Sequence, residues 1–229
     1  MYRRLKKLIS ILLAILLIGG CTIQWNTMIA FAEETKEANS YEKDNENFYY
    51  TINGNEVTIT IYIGDDEKVI IPNKIEGKIV TKIGVSAFYS CSNVTSITLP
   101  NTLISIASEA FSCCRSLTNI IIPNSVKSIG EGAFYYCESL RGIRISSSVS
   151  TIGKETFLGC KSLESISIPS SITSIEEKTF ASCDKLKSVS IPSSVKRIGS
   201  DAFNWCESLS NITIPSGVKT IVNYAFAHC

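Results

Sequence analysis

The chain has 229 residues, 45% of them hydrophobic, and 22 Lys+Arg against 21 Asp+Glu give a formal net charge of +1. That length suits one sizeable core, and the near-neutral balance argues against general nucleic-acid binding, which needs a net basic footprint. Arg3, Arg4, Lys6 and Lys7 lie in residues 1–32, where no acid occurs, so the remainder holds 18 basic against 21 acidic groups and a charge of −3 (18 − 21).

Residues 1–32 read as an export signal, with basic residues ahead of the apolar run Leu8 to Ile18, which is too short to span a bilayer comfortably. Ala30-Phe31-Ala32 before Glu33-Glu34 is a small-x-small cleavage site and predicts a soluble exported product. Ile18-Gly19-Gly20-Cys21 resembles a bacterial lipobox, which would leave Cys21 acylated and the chain held at a membrane. The apolar residues after Cys21 (Ile23, Trp25, Met28, Ile29) are unlike the usual polar tether, which favours cleavage after Ala32. An uncleaved N-terminal anchor is a third reading, and membrane contact is expected only through this segment. Residues 33–47 hold six acids, two lysines and one aromatic residue. Such a stretch cannot bury enough apolar surface to fold alone and reads as an acidic, disordered linker.

From Phe48 the pattern changes. Tyr50-Thr51-Ile52, then Asn53-Gly54, then Val57 to Tyr62 reads as strand, tight turn and strand, because Asn-Gly is a strong hairpin signal. Residues 48–71 are therefore expected to form a β-hairpin cap, with a repeat array filling residues 72–229. Pro72 opens a first repeat carrying five extra residues before Ile83, and this insertion around Lys74-Ile75-Glu76-Gly77 is expected to form a loop.

The array itself is periodic. Cys91, Cys114, Cys137, Cys160, Cys183, Cys206 and Cys229 follow at intervals of 23, and Phe88 to Phe226 and Ile83 to Ile221 keep the same step. Such self-similarity marks a solenoid, because one unit cannot bury its own apolar face. Leu117, Ile120 and Ile122 have L-x-x-L-x-L spacing, and their alternation with polar residues predicts a strand with one buried face. Pro100, Pro123, Pro169, Pro192 and Pro215 end that strand, with Ser146 in the same place once. The following V-x-x-I pair predicts a second short strand. The S-E-A-F or E-G-A-F segment is expected to form a 3₁₀ or single-turn helix.

The unit A-F-x-x-C-x-x-L-x-x-I-x-I-P-x-x-V-x-x-I-G resembles that of the BspA-like leucine-rich repeat proteins of bacterial surfaces, over about Val69 to Cys229. The resemblance implies an α/β, strand-rich, right-handed leucine-rich-repeat solenoid of about six repeats behind the hairpin cap. For function it implies an extracellular binding or adhesion surface, in a family diverse in its partners. In leucine-rich repeats the main strand ladder lines the concave surface.

Nine cysteines in an exported chain first suggest disulfides. Stacked side chains point the same way rather than at each other, so the ladder is expected to be buried free thiols acting as small hydrophobes. No C-x-x-C supports a zinc site. Cys113 lies off the ladder, either as an accessible thiol or as a tolerated surface substitution. His228 is the only histidine, so no histidine-based triad is expected, and Gly153-Lys154 lacks the other residues of a phosphate loop. Glu109, Glu155 and Asp201 share one repeat position at two-coil steps of roughly 10 Å. They could mimic a glycosidase pair, but a solvated turn face is the expected reading. No enzyme and no cofactor is expected. Arg115, Glu138, Lys161 and Asp184 form a column of alternating sign suited to pairing between coils.

Two clusters stand out for partner binding. Arg141, Arg144 and Lys187, with Glu164 between, interrupt the Ser, Thr and Asn on the outward main strands. Tyr89, Tyr135, Tyr136 and Trp205 lie near the turn at positions held elsewhere by Ser, Ala, Leu, Gly or Asn. Exposed Tyr, Trp and Arg dominate interface energetics. Lys127, Lys196, Arg197 and Lys219 add a basic stripe, and ordinary surface variation is the competing account for each cluster. The sequence thus points to an exported or cell-surface protein that binds a host or neighbouring-cell protein or glycan. One alternative is an envelope scaffold that self-associates through its uncapped last coil, and a glycan-active enzyme is a remote third.

Overall fold

The computed structural model describes residues 47–229. The expected export segment, with Cys21 and Ala32, and residues 33–46 of the expected linker lie outside the described residues.

The hairpin forms where the turn chemistry places it. β1 (Phe48–Asn53) and β2 (Glu56–Tyr62) pair antiparallel, closed by Asn53 opposite Glu56. Gly54 takes φ +62, which a residue without Cβ adopts without cost. β3 (Lys68–Ile70) belongs to the parallel ladder rather than to the hairpin, so the stack already runs ahead of Pro72. The expected loop at Lys74–Gly77 is instead a second hairpin. β4 (Lys74–Ile75) turns back onto β5 (Lys78–Ile83) through Glu76 and Gly77, at φ 50° and 73°, and this buries Ile75. Positive φ at both central residues is what a two-residue hairpin turn requires.

The following coils contribute one strand to each of two ladders, except the last, which contributes only to the second. The main strands are β6 (Ser96–Thr98), β8 (Asn119–Ile121), β10 (Gly142–Arg144), β12 (Ser165–Ser167) and β14 (Ser188–Ser190). The second set is β7 (Ser105–Ile106), β9 (Ser128–Ile129), β11 (Thr151–Ile152), β13 (Ser174–Ile175), β15 (Arg197–Ile198) and β16 (Thr220–Ile221). All pairings within the ladders are parallel and in register, as Ile97↔Ile120↔Ile143 shows. β2 joins the second ladder through β5, so the hairpin covers its first coil. The result is a β-solenoid of about seven turns.

The expected helical turn is absent among the described residues, and the hydrogen bonds explain why. In the coil at Phe134, the Ala133, Tyr135 and Cys137 amides donate back to Gly130, Gly132 and Phe134. The Gly132, Phe134 and Tyr136 amides donate to Lys154, Thr156 and Leu158 of the next coil. Half of the donors thus leave the coil, so no two successive amides close i→i−3 bonds and the segment is a run of isolated turns rather than a 3₁₀ helix. The geometry needs two left-handed residues four positions apart in every coil, such as Glu109 and Cys113, Glu155 and Gly159, or Asp201 and Trp205.

The core is a set of one-dimensional stacks. Phe88 to Phe203 are fully enclosed, with ring centroids 5.1–5.6 Å apart along the column to Phe226. Tyr62 of the cap stacks on Phe88 at 5.0 Å and stands in for the ring of a missing preceding coil. Burying each such ring contributes about 1.5–3 kcal/mol.

Candidate functional site

The cysteine column is an interior feature. Cys91, Cys114, Cys137, Cys160, Cys183 and Cys206 are buried free thiols, as expected, and Cys113 is half-buried. They are more than small hydrophobes. Cys114 Sγ donates to the Phe88 carbonyl at 3.1 Å, Cys137 to Phe111 at 3.2 Å and Cys160 to Phe134 at 3.2 Å, and Cys183, Cys206 and Cys229 continue the series. Burial pushes the Cys114, Cys137, Cys160 and Cys183 thiols well up and Cys206 to about 12, which suppresses the thiolate that nucleophilic attack or metal ligation needs. A second internal ladder escaped the sequence reading. Thr102, Ser148, Ser171 and Ser194 donate hydroxyls to Val80, Val126, Val149 and Ile172 of the coil before. Its signal was present as a 23-residue column of small hydroxyl residues.

The turn carboxylates are engaged rather than poised. Glu155 pairs with Lys178 at 3.6 Å, and Asp201 accepts from the Asn204 amide at 2.8 Å. Arg115, Glu138 and Lys161 pair across coils at 3.6 and 3.9 Å as expected, worth at most about 1 kcal/mol each. Asp184 makes no ion pair among the described residues. Pockets of about 10 and 100 Å³ line Ile152–Phe180 and Gly64–Val94. Both are far smaller than the roughly 300–1,000 Å³ of small-molecule sites.

The outward faces carry the expected residues, in two separate places. On the main ladder, Arg141, Glu164 and Lys187 occupy one column on successive coils, where Lys187 Nζ bonds Glu164 at 3.3 Å. That pair is internally satisfied. Arg141 and Arg144 are exposed and make no ion pair among the described residues. Arg144 stands beside Ile121, which is 66% exposed and continues through Thr98 to Ile70, 73% exposed. The two isoleucines were missed because they sit in apolar runs, Val69-Ile70-Ile71 and Ile120-Ile121-Ile122, where alternation gives no sign of an outward residue.

The aromatic residues lie at the turn. Tyr89 and Tyr135 are half-buried, and the Tyr135 ring meets Tyr136 at 4.6 Å. Burial first, then the neighbouring Tyr136 and Glu155, raises the Tyr135 phenol. Tyr136 lies over Gly159, where an added Cβ would come within 3.0 Å of the ring. Trp205 is 49% exposed and stacks on His228 at 4.1 Å. The structure therefore keeps Trp205 apart from Tyr89 and Tyr135 rather than joining them in one patch.

Parallel in-register ladders of 23-residue coils define a leucine-rich-repeat solenoid. The BspA type leucine rich repeat region matches residues 67–186 and 173–229 in six copies, and the chain belongs to that family. Among solved structures, a leucine rich cell surface protein from Faecalibacterium prausnitzii A2-165 is 34% identical with a TM-score of 0.76, over 82% of this chain and 52% of that one. A leucine-rich repeat protein from Bacteroides ovatus ATCC 8483 is 32% identical with a TM-score of 0.76, over 82% and 51%. The T. pallidum leucine rich repeat protein is 26% identical with a TM-score of 0.63, over 74% and 91%. The chain thus spans about half the length of the first two. Among curated proteins none matches it.

Proposed function

We propose that the chain is an exported, surface-displayed recognition module that binds an extracellular macromolecule through the outward face of its main strand ladder. The observation that carries this reading is the strip in which Arg141 and Arg144, without acidic partners among the described residues, adjoin the exposed Ile121 and Ile70. Unpaired arginine beside exposed aliphatic surface is the composition of an interface centre rather than of an inert exterior. The family and the cell-surface description of its 34% identical relative support display outside the cell. Residues 1–32 supply the export route on this reading, with cleavage after Ala32. The experiment is capture of purified extracellular host proteins by the chain from residue 33 onward. Capture by the wild type that falls about tenfold or more in R141A/R144A, at unchanged thermal stability, supports the reading. Equal capture by both chains sinks it.

A further inference from the structure

We propose that the turn column between Tyr136 and Trp205 is a glycan-binding notch that takes one pyranose ring of a neutral oligosaccharide. It is a second site, separate from the strand face, and extends the recognition reading to a ligand class.

Backbone cost points to it first. Tyr136, Trp205 and His228 hold φ of 52°, 59° and 56°. Left-handed backbone is unfavourable for a side-chain-bearing residue, and for bulky ones it is a marker worth a functional hypothesis. Ser90, Gly159 and Ser182 occupy the same column, so the turn itself needs no ring. Trp205 nevertheless stands 49% exposed, with one face fixed against His228 at 15° between planes.

The spacing then defines the notch. Tyr136, Gly159, Ser182 and Trp205 donate backbone bonds of 2.7–2.9 Å to Leu158, Ala181, Asn204 and Ala227, so each step is one ladder spacing, roughly 4.8 Å. The Tyr136 ring fills the space over Gly159. Only the short Ser182 side chain remains between that ring and Trp205, across two steps or roughly 10 Å. Contacts of roughly 3.5–4.0 Å on each side leave room for one puckered ring.

The chemistry selects a sugar. A pyranose offers C–H faces to the electron-rich faces of aromatic rings and hydroxyls to its rim. The adjoining left-handed column supplies polar partners, Glu155 paired with Lys178 at 3.6 Å and Asp201 accepting from the Asn204 side-chain amide at 2.8 Å. Carboxylates here accept from the hydroxyls of a neutral polyol and repel a phosphate or an acidic chain.

The test uses the chain from residue 33 onward, in which Trp205 is the one tryptophan and alone reports in emission. Neutral hexasaccharides of glucose, mannose, galactose and N-acetylglucosamine are titrated by fluorescence and by calorimetry. The expected result is saturable binding of at least one of them. That binding should be weakened about tenfold or more by W205A and by S182W, whose new ring fills the notch. R141A/R144A should leave it unchanged, and all variants should melt as the parent does. Absence of binding to every saccharide at millimolar concentration overturns the proposal, as does undiminished binding to a folded S182W. Trp205-dependent capture of a deglycosylated protein without saccharide binding also overturns it, while leaving the macromolecular recognition reading intact.

Discussion

Alkaline pH should unfold this protein through its interior. Cys114, Cys137, Cys160, Cys183 and Cys206 are held protonated by burial, with Cys206 at about 12 and the others well above the ordinary 9.0. A folded pKa raised in this way gives stability that is full below about 9 and is lost as pH rises towards the folded value. Each thiol removes about 1.4 kcal/mol per pH unit once the unfolded chain is ionised. Between about pH 8 and 10 the five together remove about 7 kcal/mol, against a typical total of about 5–15. Cooperative unfolding is therefore expected near pH 10–11. The raised phenols Tyr62, Tyr89 and Tyr135 act in the same direction, so the discriminating chain is C137A/C160A/C183A. Its loss over the same range should shrink to about 3 kcal/mol, because two of the five thiols remain. Urea unfolding followed by circular dichroism at stepped pH measures both chains. Identical pH dependence in the two, or a flat profile in the parent, would refute the assignment of a proton-bearing thiol column.

Truncating the phenylalanine column should show its one-dimensional character. Phe157 is enclosed between rings at 5.6 and 5.4 Å, so F157A should cost about 3–5 kcal/mol. Phe226 is half-buried with one ring neighbour at 5.2 Å, so F226A should cost less than half as much in urea denaturation. Equal costs would mean a shared globular core rather than a stack. S194A removes the 2.7 Å bond to the Ile172 carbonyl and should lower stability by about 1 kcal/mol in the same assay, with S194T recovering part of it.

What the sequence made legible is what stacking forces to repeat. A side chain that must sit on its own equivalent one coil away has to recur at a fixed step, so the Phe, Cys and Ile columns announced the ladders and their buried faces. The turn was misread because Glu109, Glu155, Lys178 and Asp201 hold left-handed backbone without being glycine. Only Gly132 and Gly159 carried the usual signal. Lys74–Ile75 was misread for a related reason, since only Gly77 hinted that a short insertion would turn back as a hairpin. The thiol donors were illegible in principle. Their acceptors lie 26 residues earlier in sequence, and no local pattern reveals that the Phe carbonyl beneath is within reach.

The contrast between interior and exterior columns bears on where function can evolve in such a rod. Phe134 touches a ring on each side, at 5.3 and 5.6 Å, so changing it disturbs two interfaces at once. An exterior residue answers to its neighbours far more weakly, as the 3.6 Å pair of Arg115 and Glu138 illustrates. Exterior columns can therefore drift in sequence without endangering the stack, and most of their positions here are filled by small polar residues or by paired charges. Arg144 beside Ile121, and Trp205 on His228, fit neither description. Neither closes an ion pair among the described residues, neither fills the core, and Trp205 sits on backbone that favours something smaller. Residues that the fold does not require, at positions where it tolerates almost anything, are where contacts outside the chain have to be sought.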